Sequence, residues 1–194
     1  MGYVIDHDPN DLSEMLSALR KDESNGIRLL AQAGLTKEGD ETAQENLATI
    51  IQSWGKADLP DRKRRGLSDE MELVCGLIAE LKLSWLEADL RITLHSLEKR
   101  NQAFVIDALA GLGDANALKQ LHEMVESEDV EVRMAALKMC GHLDEEKSHR
   151  FVKDIAESSK DPLILVAQQI RQHLRQGIQR KMANAKSAGR RRTD

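Results

Sequence analysis

The sequence predicts an all-α fold of stacked antiparallel helical hairpins, an α-solenoid preceded by a small N-terminal helical segment. Three observations carry that expectation. Hydrophobic residues make up 41% of the 194 and charged residues 31%, enough for both a core and a solvated exterior. Aromatic residues are only 3% and prolines number three, while Leu and Ala are abundant, a balance that favours helix over strand. An Ala-rich helical pattern also recurs. The stretch Asp129 to Gly141 is matched in phase by Ile106 to Gly113, about 28 residues upstream, and by Pro162 to Ile170, about 31 residues on. Spacings of that size mark hairpins that bury together a face no single one can bury alone.

The periodicity places a first helix from about Asn10 to Lys21, with Leu12, Met15, Leu16 and Leu19 on one face. A short second helix carries Ile27, Leu29, Leu30 and Ala33 and stops at Gly34. The third starts after Asp40, a side chain suited to the N-cap, and ends at Gly55 beyond Trp54. Gly55 to Gly66, with Pro60 at its centre and a run of basic residues, reads as a linker. After it, Ser68 or Asp69 caps a helix with Met71, Val74, Cys75, Ile78 and Leu81, although Met71 to Ile78 also suits a short strand. Ser84 and Glu87 form a capping box before Leu86, Leu90, Leu94 and Leu97.

Asn101 then caps a helix through Phe104, Ala108, Leu109 and Leu112, and Asp114 caps one with Ala117, Leu118, Leu121, Met124 and Val125. Asp129 opens the helix to Gly141, and another follows with Phe151, Val152, Ile155 and Ala156. Asp161 and Pro162 begin the last, which turns Leu163, Ala167, Ile170 and Leu174 inward. The expected organisation is an N-terminal helical segment at 1–55, a basic linker at 56–67, a repeat domain at 68–176 and a basic tail at 177–194.

The second half resembles the HEAT-repeat family, of the short-repeat kind found in phycobilisome lyases. The family's pattern Asp-x-x-Val-Arg-x-x-Ala-x-x-x-x-Gly is met by Asp129, Val132, Arg133, Ala136 and Gly141. Neighbouring copies keep the small residues Ala108 and Ala167, with Val105 and Ile164 in place of the Arg. The resemblance spans about Ser68 to Leu174. It implies hairpins stacked in a curved layer that serves as a protein-binding scaffold. It transfers no lyase residues, because no lyase motif is present.

Charge is unevenly distributed. The chain carries −5 overall, yet from Arg171 onward it holds about +7, which leaves an acidic body near −12. The basic groups Arg62, Lys63, Arg64 and Arg65, and in the tail Arg180, Lys181, Arg190, Arg191 and Arg192, suit phosphates or an acidic protein surface. Neither cluster has aromatic residues for stacking on bases, which argues against sequence-specific RNA recognition.

No motif for catalysis, phosphate cradling or metal binding stands out. His142, Asp144, Glu145, Glu146 and His149 bring ligand chemistry together, but in the pattern of a solvated acidic loop rather than a metal motif. Cys75 and Cys140 fall in apolar helical patterns and read as small buried hydrophobes. No secretory leader pattern and no spanning apolar run is present, so a cytoplasmic location is expected. The leading expectation is a non-enzymatic adaptor without cofactor or metal that binds another protein through exposed second-helix side chains such as Lys119, His122 and Glu123. A nucleic-acid-associated protein using the basic clusters is the alternative, and an enzyme subunit or lyase-like enzyme the next. Self-association of an uncapped stack is a further option.

Overall fold

The computed structural model describes the backbone of residues 9–55, 61–143, 146–158, 160–174 and 176; the side chains of residues 9–11, 61–65 and the other remaining positions lie outside it. The regular structure of the described residues is all helical, with no strand. The stretch from Met71 to Ile78, readable as a strand, is helix. Two compact units result, Met1–Leu118 and Lys119–Asp194.

The first unit holds α1 (Pro9–Leu19), α2 (Asn25–Lys37), α3 (Glu41–Trp54), α4 (Asp61–Leu81), a 3₁₀ turn (Ser84–Leu86), α5 (Glu87–Leu94) and α6 (Lys99–Gly111). Packing sorts these into two layers: α2, α4 and α6 lie side by side in one, and α3 lies beside α5 in the other. The corners explain how. Gly39 and Gly113 adopt positive φ, 92° and 104°. At each, the next amide reaches back five residues, Asp40 to the Leu35 carbonyl and Asp114 to the Leu109 carbonyl. This closes α2 and α6 with a turn that L side chains resist and glycine accepts. Asp40 and Asp114 then serve as N-caps, accepting from the Ala43 amide and from the Asn116 and Ala117 amides. Each Gly–Asp pair thus ends one helix and starts the next.

The corner after α4 uses Lys82 in the same left-handed region, at φ 56°. Its ammonium donates to the Gly111 carbonyl at the end of α6, just as Lys37 donates to the Leu81 carbonyl at the end of α4. A cation at a helix C-terminus satisfies an orphan carbonyl and complements the dipole. The recurrence fixes α2, α4 and α6 in one register. Close approach follows: a Cβ on Gly111 would lie 2.6 Å from the Ala79 Cβ. Glu70 on α4 accepts from Asn25 on α2 and from the Trp54 indole on α3.

Several local expectations are corrected. Gly34 does not stop α2; the helix runs to Lys37, and Gly34 instead lets Leu16 of α1 sit close, within 3.0 Å of where its Cβ would be. Of the expected linker at 56–67, the part from Asp61 onward is helix, residues 56–60 lie outside the described residues, and the units divide within α7. Ser68 and Asp69 are therefore interior to α4 and cap nothing. Ser84 and Glu87 form no capping box, because a 3₁₀ turn precedes α5 and no side chain bonds its first amides. Asn101 is not a cap either: α6 begins two residues earlier, and Asn101 is buried, accepting from the Ser68 hydroxyl.

The helix α7 (Ala115–Val125) crosses from the first unit into the second. There it is joined by α8 (Val130–Cys140), α9 (Glu146–Glu157) and α10, helical over 164–174. Val132, Ala135, Ala136, Leu137, Met139 and Cys140 are all buried, so α8 is enclosed on nearly every side. A Cβ on Gly141 would meet Ile170 of α10 at 2.4 Å. Arg133 donates to the Val125 carbonyl and to the Asp161 carboxylate, which also accepts from the Leu163 amide at the start of α10. Burial opposes ionisation of Asp161, but the Leu163 amide and the Arg133 guanidinium outweigh it and hold its carboxyl below the usual range.

Asp129 caps α8 by accepting from the Glu131 and Val132 amides. Asp129→Ala should lower stability by about 1 kcal/mol in urea unfolding, the usual worth of an N-cap; an unchanged midpoint would show that the cap is dispensable.

Candidate interaction surface

The three side chains expected on an exposed α7 face separate. Lys119 and Glu123 are well exposed and pair loosely one turn apart, 3.7 Å between charges. His122 is 5% exposed, which corrects its placement on the surface. Its Nε2 lies 2.8 Å from the buried Ser148 hydroxyl on α9, and its ring packs against Phe151 with centroids 5.2 Å apart. The sequence held the signal. Leu118, Leu121, His122 and Val125 fall at i, i+3, i+4 and i+7, so the histidine belongs to the apolar stripe.

The surface that stands out is on the 3₁₀ turn and α5. Leu86, Leu90 and Thr93 are buried, and Thr93 donates to the Ile51 carbonyl of α3. Gln52 of α3 donates to Asp89 at 2.8 Å, so the two helices lie in register about forty residues apart in sequence. Away from that seam, Ile92 is 72% exposed and Trp85 41%. Thr49 and Ser53 of α3 and Ala88, His95 and Ser96 are exposed without a fixed charge, while Arg91 and Glu87 are half-exposed and charged. An exposed Trp is the residue type most characteristic of an interface centre, and Ile92 adds apolar surface to it. Arg91 is held between Glu87 and Asp114; these two hydrogen bonds raise the guanidinium's pKa. The Ala117 amide, with the Arg91 and Asn116 contacts and against partial burial, holds the Asp114 carboxyl below its usual range.

Ionisable groups are also buried. Asp107 on α6 is 3% exposed, and burial, with the charge of Glu72 on α4, pushes its carboxyl up to about 7. Cys75 on α4 is raised well above an ordinary thiol by burial and by Asp107. Cys75 and Cys140 are both buried, in line with their apolar patterns. Among the described residues no three His, Cys, Asp or Glu side chains gather as a metal would need. Asp144 and Glu145 of the acidic loop lie outside those residues, as do the side chains of Arg62, Lys63, Arg64 and Arg65 and the whole of Arg180, Lys181, Arg190, Arg191 and Arg192. No described helix is long and apolar enough to cross a membrane.

No curated protein and no solved structure matches the chain significantly. The family model described as HEAT repeats matches residues 88–171, from α5 into α10. The matched stretch contains the Asp129–Arg133–Gly141 pattern, the enclosed α8 and the Arg133–Asp161 link into the following helix. The chain contains HEAT repeats, recognised across residues 88–171.

Proposed function

We propose that the chain is a non-enzymatic adaptor of the cytoplasm that binds another protein through the surface of the 3₁₀ turn and α5 that carries Trp85 and Ile92. HEAT repeats as a class support a protein-interaction role, and function is decided by the site rather than the fold. The observation that carries the reading is the pair of exposed apolar side chains, neither of which contributes to the Leu86–Leu90 seam. Lys119 and Glu123 on α7 are separate candidates for polar contacts to a protein partner.

A photo-crosslinking residue at position 92, compared with one at the exposed Lys138, tests this in cells. Crosslinking to a distinct protein at 92 and not at 138 is expected. For the partner so recovered, Trp85→Ala with Ile92→Arg should weaken binding at least about tenfold, the scale of an interface hot spot. The variant's helical circular dichroism should be unchanged. Equal labelling at both positions, or crosslinking only to a second copy of the chain, would sink the proposal.

A further inference from the structure

We draw no further inference here: the strongest candidate, the apolar surface that Leu12, Met15, Ile27 and Leu30 leave exposed on the α1–α2 hairpin, carries nothing because nothing in the structure shows what covers it.

Discussion

Asp107→Asn is expected to stabilise the protein by about 4 kcal/mol at pH 8 and by less than about 1 kcal/mol at pH 4. Asp107 sits almost fully buried on α6, and its folded carboxyl titrates at about 7 against an ordinary value of 3.8. A carboxyl raised on folding favours the protonated state of the folded chain. Its contribution is complete below the unfolded pKa and is lost as pH rises through the folded one. Between about pH 4 and 7 the native protein therefore loses stability that an uncharged amide of the same shape retains. Asp114 and Asp161, both held low, act in the opposite direction: their contribution is present above the unfolded pKa and lost as pH falls through the folded one. Both variants share that acid limb, so it cancels in the difference. Urea unfolding of the two proteins at both pH values makes the test. A gap of the same size at pH 4 and pH 8 would mean that Asp107 ionises in the fold as it does in water.

Much of this fold is legible along the chain, for a physical reason. Asp40, Asp114, Asp129 and Asp161 each precede an apolar helical period, and each accepts from amides at the start of the next helix. Those bonds span two or three residues, so local sequence suffices to read them. The misreadings arise where a distant residue decides. Gly34 looks like a stop until Leu16 from the preceding helix is seen to need its space. Asn101 looks like a cap until Ser68, on another helix, is found bonded to it.

The corner at Lys82 carries no glycine signal, and its lysine finds its use only at the end of α6. Likewise, the flanking repeats lack the family's arginine at Val105 and Ile164, yet an Arg-to-cap link recurs from outside that position, Arg91 to Asp114. The candidate surface was half legible. Trp85 and Ile92 fall off the Leu86, Leu90, Leu94 and Leu97 stripe, which periodicity shows, but their exposure depends on where α3 packs.

Enlarging Ala136 to Leu is expected to cost roughly 1–3 kcal/mol, whereas Lys138→Ala, two residues on, should change stability by less than about 0.5 kcal/mol. The repeat pattern sets Ala108, Ala136 and Ala167 in equivalent positions, and all three are fully buried. Around Ala136, Ala135, Leu137, Met139 and Cys140 are buried too. Gly141 at the end of the same helix has no room for a methyl beside Ile170. With neighbours so enclosed, three extra carbons have no solvent to enter and must displace packed side chains or backbone. Lys138 points outward and is exposed, so shortening it removes no core contact. At about 2–4 °C per kcal/mol for a chain of this size, thermal unfolding separates the two variants. Equal melting temperatures would show that α8 can shift to admit the larger side chain, and that the small residue at this position is not what keeps its neighbours close.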